Sequence, residues 1–206
     1  MTYTITPYKR DGGGSSNKIS TSGSSTTTNC NTARGFRNVA VGATLYANAL
    51  ERTVSSKTDE DTVIVNSAWD LSAGYVWEYQ NPALTLSGIY YIKHTKDDRP
   101  LTSMGMPTKD ADYTFCTIGK GVIREIVVSG FIQSATIADV YTNVTILESL
   151  ADGSQTYQGT CTFTEDVPPR TSYIYITSAS WQYNRDKPTW LDIMINMTEC
   201  RNRGST

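Results

Sequence analysis

Histidine is almost absent from this chain, and the residue patterns that usually carry chemistry are absent with it. Among 206 residues there is one histidine, His94, and there are four cysteines, Cys30, Cys116, Cys161 and Cys200. No C-x-x-C or Cys/His pair occurs, so the spacings typical of zinc ligands are missing. No G-x-S-x-G segment occurs, and one histidine leaves few ways to place a nucleophile beside a base. We therefore expect no enzyme, no metal site and no cofactor.

The four cysteines lie far apart in the sequence, which favours separate packing thiols over a shared site. Free cysteine is among the most buried residue types and behaves as a small hydrophobic group. We therefore expect Cys30, Cys116, Cys161 and Cys200 to fill space. A disulfide would form only in an oxidising compartment.

Charge is scarce, and neither sign dominates. Charged residues make up 18% of the chain, the formal net charge is -2, and lysine and arginine form no patch. Specific binding of nucleic acid through its phosphates is therefore not expected, although such a surface would let DNA pass through a channel.

Long hydrophobic runs are also missing. No apolar segment approaches the roughly 20 residues that a membrane helix needs. The opening segment MTYTITPYKRDGGG has no signal-peptide core. We therefore expect no membrane partner and synthesis in a cytoplasm.

Aromatic and hydroxyl residues are plentiful instead. The chain holds 13 tyrosines and 4 tryptophans beside many threonines, and these residue types favour a pleated, half-buried surface. The composition predicts a mainly β protein, with a β-sandwich or barrel-like fold.

The clearest periodicity lies in residues 122–199. Four segments alternate apolar with polar residues, which predicts four strands. These segments are residues 122–132, 156–165, 172–183 and 189–199.

Between the first two of these segments, the spacing predicts one flanking amphipathic α-helix over about residues 134–151. Thr136 and Asp139 stand in the capping-box arrangement at its start, and Gly153 supplies a stop. The predicted apolar stripe consists of Ile137, Val140, Tyr141, Val144, Leu147 and Ala151.

The first 29 residues have a different composition. The segment DGGGSSNKISTSGSSTTTN contains a single apolar residue, which predicts a long extended or flexible N-terminal arm over residues 1–29. The remaining residues, 30–206, are expected to form a single β-rich domain. Tyr3, Ile5 and Tyr8 are the predicted anchors of an intersubunit arm, because they are the large apolar side chains available there.

Three shorter patterns lead to local expectations. Residues 46–50 indicate a short helix, and the polar residues 53–61 indicate a surface loop. The glycine at position 88, inside a strand pattern, predicts a bulge or a close backbone approach.

The aromatic residues between positions 69 and 79 allow two interpretations. Such a density of rings usually serves core or intersubunit packing. Alternatively, a sugar-stacking platform would need exposed rings, and its candidates are Trp69, Trp77 and Trp181.

The order of strand, helix, strand and final hairpin resembles the sandwich of tail-tube and distal tail proteins of tailed phages. The resemblance covers about residues 84–199. It is carried by REIVVSGFI, by the helix with Leu147 and Leu150, and by the pair SYIYITSASWQY and KPTWLDIMINMTE.

That resemblance implies a structural virion protein that self-assembles into rings, usually hexameric, or into a tube. Its partners would be copies of itself and other virion proteins, joined by the arm and loops. The arm of residues 1–29 is longer and richer in glycine and serine than the pattern requires, which leaves open a head decoration or neck protein. A carbohydrate-binding β-sandwich module of a viral adhesin is the other alternative.

Overall fold

The computed structural model describes residues 3–97, 123–151, 161–166 and 169–199. In this part of the chain the fold is mainly β with a single α-helix, as the sequence predicts. The strands in chain order are β1 (Tyr3–Thr6), β2 (Arg10–Asp11), β3 (Lys18–Ser20), β4 (Ser24–Cys30), β5 (Thr44–Ala47), β6 (Leu50–Lys57), β7 (Thr62–Asp70), β8 (Tyr75–Gln80), β9 (Leu84–Leu86), β10 (Gly88–Asp97), β11 (Ile123–Gln133), β12 (Cys161–Asp166), β13 (Pro169–Tyr183) and β14 (Trp190–Glu199). The helix α1 spans Ile137–Ala151.

Two compact units make up the fold, which corrects the expectation of one domain over residues 30–206. We call them the sheet unit and the barrel unit. The sheet unit comprises Met1–Thr6, Thr85–Val140 and Thr160–Thr206. The barrel unit comprises Pro7–Leu84 and Tyr141–Gly159. Each unit has its own sheet, because the strands of each set of segments pair with one another.

In the sheet unit, β10, β11, β14, β13, β12 and β1 pair in that order, and β9 lies beside β1. The pairings from β10 to β1 are all antiparallel. Antiparallel sheets often bury one face and expose the other, which produces alternation along each strand. Ile126 and Val128 on β11 and Ile193 and Ile195 on β14 share the buried face. The opposite surface, with Tyr91, Phe131, Trp190 and Met194, is called the outer face below.

A close approach of two backbones confirms the prediction at position 88. A Cβ added at Gly130 would lie 2.1 Å from the Gly88 carbonyl oxygen. The pairing of β10 with β11 is also irregular between Ile89 and Tyr91. Glycine at both positions therefore lets the strands meet where any side chain would separate them.

The barrel unit is a closed antiparallel barrel of six strands, in the order β3-β4-β7-β6-β5-β8, with the short strand β2 also paired to β8. Strands β5, β6 and β7 follow one another as neighbours, and β8 returns to lie beside β5, which is a Greek-key order. Closure leaves none of these six strands as an open sheet edge. The interior is filled by Ile19, Phe36, Val39, Ala43, Leu45, Ala47, Val54, Val63, Val65, Trp69, Leu71, Trp77 and Tyr79.

Residues 3–30 belong to these two units, so the expected N-terminal arm is corrected. Strand β1 pairs with β12, and β3 and β4 supply two of the six barrel strands. Removing residues 1–29 would therefore open the barrel. Composition misled here because a glycine-rich and threonine-rich segment can still be ordered by backbone pairing to strands that carry the hydrophobic residues.

The three consecutive glycines at positions 12–14 pass a bulky core ring. A Cβ added at Gly12 would lie 2.1 Å from Cε2 of Trp77. The Gly12 amide donates a hydrogen bond to the Trp77 carbonyl oxygen at 2.9 Å. Trp77 in turn packs against Phe36 with ring centroids 4.9 Å apart. Glycine is therefore required here for close packing, which a flexible linker would not need.

Helix α1 begins with the predicted capping box. The Thr136 amide donates to Asp139 Oδ2 at 2.9 Å, and the Asp139 amide donates to Thr136 Oγ1 at 3.2 Å. These bonds satisfy two backbone donors at the helix start, where no carbonyl of the preceding turn is available. Gly153, the predicted stop, lies outside the described residues.

The buried face of α1 differs from the predicted stripe. Val140 and Leu147 are buried as expected, and Val144 is half-buried. The residues exposed against expectation are Ile137, Tyr141 and Ala151. The residues buried in their place are Ile146, Ser149 and Leu150. The burial of Ser149 accompanies polar contacts that helix periodicity does not reveal.

Two side chains of the barrel unit fix the end of α1 at Ser149. Arg10 Nη1 donates to the Ser149 carbonyl oxygen, and Asn81 Nδ2 donates to Ser149 Oγ at 2.9 Å. The last turn of the helix contains no basic residue of its own. Arg10 thus supplies the positive charge that stabilises a helix C-terminus, from a strand distant in sequence.

The expected short helix at residues 46–50 is wrong, and the loop expected at residues 53–61 is confirmed only for residues 58–61, between β6 and β7. Strands β5 and β6 form a hairpin in which Ala47 pairs with Leu50, and β6 continues to Lys57. The two loop residues, Asn48 and Ala49, have φ angles of 50° and 58°. Positive φ at both positions is the mark of a type I′ turn, which matches the twist of a two-residue hairpin.

Candidate functional site

Polar side chains gather at one end of the buried face of the sheet unit. We call this group the polar cluster; its members are His94, Arg124, Glu165, Arg170, Ser172 and Glu199. They come from β10, β11, β12, β13 and β14. Strand register brings them together, since residues directly opposite each other in an antiparallel sheet point to the same face.

Glu199 is the centre of the polar cluster. Its Oε1 accepts hydrogen bonds from Arg170 Nη2 at 2.7 Å and from Ser172 Oγ at 3.2 Å. Its Oε2 lies 3.3 Å from Nε of Arg124. Nη1 of Arg124 is buried and has no hydrogen-bond partner among the described residues. Two guanidinium groups therefore share one carboxylate, with a hydroxyl as a third donor.

A hydrogen-bonded pair completes the polar cluster. Nε2 of His94 lies 3.0 Å from Oε1 of Glu165. The Glu165 side chain is 8% exposed, whereas that of His94 is 33% exposed. Two carboxylate and two guanidinium side chains therefore meet beside the imidazole at this end of the buried face.

The contacts of the polar cluster are those of a structural ion-pair network. Ser172 bonds to Glu199 and His94 bonds to Glu165, and no hydrogen bond joins Ser172 to His94 in the part of the chain that the structure describes. A serine nucleophile would need such a bond to an adjacent base. Among the described residues, no group of three histidine, cysteine or acidic side chains could hold a metal ion.

An open cavity of about 470 Å³ lies where β1, β12 and β13 end. Three of its threonines form a row across the strands, since Thr4 pairs with Thr164 and Thr164 pairs with Thr171. Its lining consists of Thr4, Thr164, Glu165, Asp166, Pro169, Arg170 and Thr171. None of these residues offers the aromatic surface that commonly packs against a ligand.

Strand β10 carries exposed aromatic side chains. It has ten residues and pairs with β11, and only Ser87 separates it from β9, which lies beside β1. Tyr90 and Tyr91 on this strand are 67% and 51% exposed. On the outer face, Tyr91 lies opposite Ser129, and Ser129 lies opposite the exposed Met194. The outer face thus presents a row of exposed apolar side chains across β10, β11 and β14.

A stack of side chains braces this outer face. The rings of Phe131 and Trp190 are stacked with centroids 4.3 Å apart and an interplanar angle of 2°. Tyr90 leans on Phe131 at 5.5 Å, and Nζ of Lys187 lies 3.6 Å from the Trp190 centroid. Phe131 therefore covers one face of Trp190, and the ammonium group of Lys187 also contacts this ring.

The residues predicted for the intersubunit arm occupy different environments. Tyr3 and Ile5 are buried in β1, where Tyr3 stacks on Phe163 at 6.2 Å. Tyr8 is 42% exposed in the barrel unit. The first two are thus internal packing residues in the structure, which removes them as anchors of a free arm.

The candidate sugar-binding tryptophans are also separated. Trp69 and Trp77 are buried inside the barrel, and Trp181 on β13 is half-buried. Nε1 of Trp69 donates to Thr28 Oγ1 at 2.8 Å, as expected for an indole within a core. The interpretation of this aromatic segment as core packing is confirmed for Trp69 and Trp77.

Two of the cysteines lie in the described part of the chain, and no disulfide joins them. Cys161 is buried, and Cys30 is half-buried with its Sγ 2.7 Å from Asn17 Oδ1. Burial raises the pKa of the Cys30 thiol, and the nearby Asp61 carboxylate also raises it. Cys116 and Cys200 lie outside the described residues.

Sequence reasoning missed the polar cluster because its members are widely separated along the chain. His94 and Glu165 are 71 positions apart, and Arg170 and Glu199 are 29 positions apart. The one available signal was charge at inward positions of otherwise apolar strands, such as Glu165 two residues after Phe163. That signal becomes informative only when strand register is known.

The fold defines this chain as an antiparallel β protein of two units, one of them a closed Greek-key barrel. Comparison with protein-family models, with curated proteins and with solved structures found no match to it. In the described part of the chain, no helix is long and apolar enough to span a bilayer.

Proposed function

We propose that this protein is a structural virion protein that self-assembles into rings or a tube, as a tail-tube or tail component. The observation that carries the proposal is the row of exposed apolar side chains on the outer face of the sheet unit, among them Tyr91 and Met194. An exposed apolar surface of this kind suits contact with another protein chain. Its copies and other virion proteins are the proposed partners.

The composition of the outer face supports a protein partner. Exposed tyrosine and methionine are enriched at protein interfaces, whereas lysine and glutamate are depleted there. Tyr90, Tyr91 and Met194 are each about half exposed or more, at 67%, 51% and 48%. Scattered apolar residues need no explanation, but Tyr91 and Met194 lie in one row across β10, β11 and β14.

The carbohydrate-binding alternative has less support. Two of its three tryptophans, Trp69 and Trp77, lie in the barrel core, and Trp190 already packs between Phe131 and Lys187. A sugar-stacking site needs a ring with an open face. An exposed assembly surface is equally compatible with a head decoration or neck protein. Which of these positions the protein takes depends on the partner that binds this surface.

Electron microscopy of the purified full chain, combined with light scattering over a range of concentrations, tests the proposal. We expect rings, tubes or another closed particle. Met194→Lys should weaken the assembly, because it places a charge on the outer face. The matched control is Tyr141→Lys, which alters an exposed side chain of α1. A full chain that stays monomeric at every concentration would contradict the proposal.

A further inference from the structure

Three backbone carbonyl oxygens of the barrel unit converge on Nζ of Lys57. This nitrogen donates to the carbonyl oxygens of Phe36, Arg37 and Val39 at 2.7, 3.1 and 3.4 Å. A lysine ammonium has three N–H donors and no acceptor, so these bonds match its full donor capacity. In the part of the chain that the structure describes, no carboxylate forms an ion pair with this nitrogen. We call the three oxygens the carbonyl site.

The carbonyl site belongs to a segment that side chains from other segments hold in place. Phe36 and Val39 anchor this segment in the barrel core. The carbonyl oxygen between them that Lys57 does not bind, that of Asn38, accepts a hydrogen bond from Nδ2 of Asn81 at 2.9 Å. Backbone oxygens beside a core need such partners, because an unpaired polar group is costly to bury. Side-chain donors from elsewhere in the chain thus reach every carbonyl oxygen of this segment.

The surroundings of the carbonyl site favour positive charge. Burial lowers the pKa of Lys57. The carboxylates of Glu60, Glu148 and Asp59 act in the opposite direction and raise this pKa. These three groups therefore stabilise any cation that takes the position of Nζ.

The ligand type indicates which cation fits the carbonyl site. Backbone carbonyl oxygens replace the hydration shell of potassium in ion-selective pores, whereas calcium sites usually include carboxylate ligands. An ammonium group and a potassium ion carry the same charge and are similar in size. The neutral oxygens of the carbonyl site therefore suit a monovalent cation of these dimensions.

We propose that the carbonyl site is a binding site for a monovalent cation of ammonium or potassium size, and that the side chain of Lys57 is its built-in occupant. This inference goes beyond the proposed assembly function and concerns the barrel unit alone. The covalent link gives the Lys57 ammonium a high effective concentration at the site, so a free cation enters only when this side chain is shortened. The segment requires a cation, which either the chain or the solvent can supply.

Replacement of the missing cation from solution tests the proposal in the full chain. Lys57→Ala removes the side chain beyond Cβ, and the removed fragment corresponds to n-propylammonium. We expect this variant to unfold at a lower urea concentration than wild type, and n-propylammonium chloride to restore the midpoint. Binding to the folded state multiplies the folding equilibrium constant by one plus the ratio of free ligand to dissociation constant, about elevenfold at ten times that constant. Potassium chloride should act in the same direction.

Matched salts and variants separate binding from general salt effects. Tetramethylammonium chloride at equal concentration has the same charge, but its cation has no N–H donor and is larger. Lys57→Met fills the space of the lysine stem without a charge, so we expect n-propylammonium to restore it much less than Lys57→Ala. Lys93→Ala removes an exposed lysine of the sheet unit and should respond to neither salt.

Each outcome decides the proposal. A saturable recovery of Lys57→Ala in n-propylammonium, absent in tetramethylammonium and in Lys57→Met, supports the site. If Lys57→Ala does not fold in buffer, its refolding yield from urea is compared in the two salts, and selective recovery in n-propylammonium supports the site. Equal effects of the two salts overturn the proposal, and so does a Lys57→Ala variant as stable as wild type.

Discussion

Nε2 of His94 lies 3.0 Å from Oε1 of Glu165, although three strands separate β10 from β12 in the sheet order. Neighbouring strands are spaced about 4.8 Å apart, so four steps across a flat sheet would span roughly 19 Å. The sheet must therefore coil strongly about its buried face to bring the two side chains together. This contact joins β10 to the far side of its own sheet.

We predict that this pair stabilises the fold measurably. His94→Ala should lower the free energy of unfolding by about 1–2 kcal/mol, because it leaves a buried carboxylate without its partner. Partial exposure of His94 moderates the loss. A double-mutant cycle with Glu165→Ala, followed by urea unfolding, isolates the coupling. The exposed pair Arg34–Glu60 is the control, and a coupling no larger than the control would contradict the prediction.

Gly12 gives a second prediction. Gly12→Ala should destabilise the protein by several kcal/mol, on the order of an overpacked core, since the added methyl group meets the rigid ring of Trp77. Thermal unfolding measures the effect. Ser16→Ala, an exposed position a few residues away, should change stability little. Equal melting temperatures for Gly12→Ala and the unaltered chain would show that Gly12 can move away from the ring.

We expect that replacing Ala49 with glycine stabilises the folded protein. Its φ of 58° is costly for an L-amino acid with a Cβ, whereas glycine adopts it readily. Ala49→Gly should therefore raise the free energy of unfolding by about 1 kcal/mol. Ala73→Gly, at an exposed turn residue without positive φ, should lower it instead. Chemical denaturation of both variants checks the opposite signs.

Lys57 leads to a prediction about pH. Its Nζ donates to the carbonyl oxygens of Phe36, Arg37 and Val39 at 2.7, 3.1 and 3.4 Å. Burial lowers the pKa of this ammonium below its ordinary value of 10.5, and nearby carboxylates such as Glu60 partly offset the shift. The folded state thus releases the Lys57 proton at a lower pH than the unfolded state.

The sign of the pH effect follows from proton binding. Between the lowered pKa and 10.5 the unfolded chain holds more protons, so the contribution of Lys57 to the free energy of unfolding rises with pH. Lys57→Met removes this contribution. The stability difference between wild type and Lys57→Met should therefore shift in favour of wild type as pH rises through that window. Urea unfolding at a series of pH values measures it, and a difference independent of pH would contradict the prediction.

Local sequence patterns determined several elements correctly. Alternation in β11, β13 and β14 and the capping box at Thr136 depend on residues close to one another in the chain, and each agrees with the structure. The hairpin between β13 and β14 agrees as well. Short-range sterics and hydrogen bonding decide such features, so nearby residues suffice to predict them.

Other local predictions failed because tertiary pairing overrode them. Residues 44–57 became a hairpin since β5 and β6 each found a further neighbour, β8 and β7. The exposed Ile137 and Tyr141 also depart from the periodic stripe of α1, and the buried Ser149 contacts Arg10 and Asn81. Arg10 and Asn81 lie more than 60 positions from Ser149 in sequence, where no local periodicity can indicate them.

By itself, the sequence determined that the protein is mainly β, where its longest strands run and how its helix begins. Alternation and capping record these features directly. Only the tertiary structure decided that residues 3–30 supply strands to both units, that Gly12 lies against Trp77, and that His94 reaches Glu165. Each of these features depends on which strands pair and on how far a sheet coils. Strand pairing and coiling are set by the free energy of the whole packed arrangement, so no single segment of the sequence predicts them.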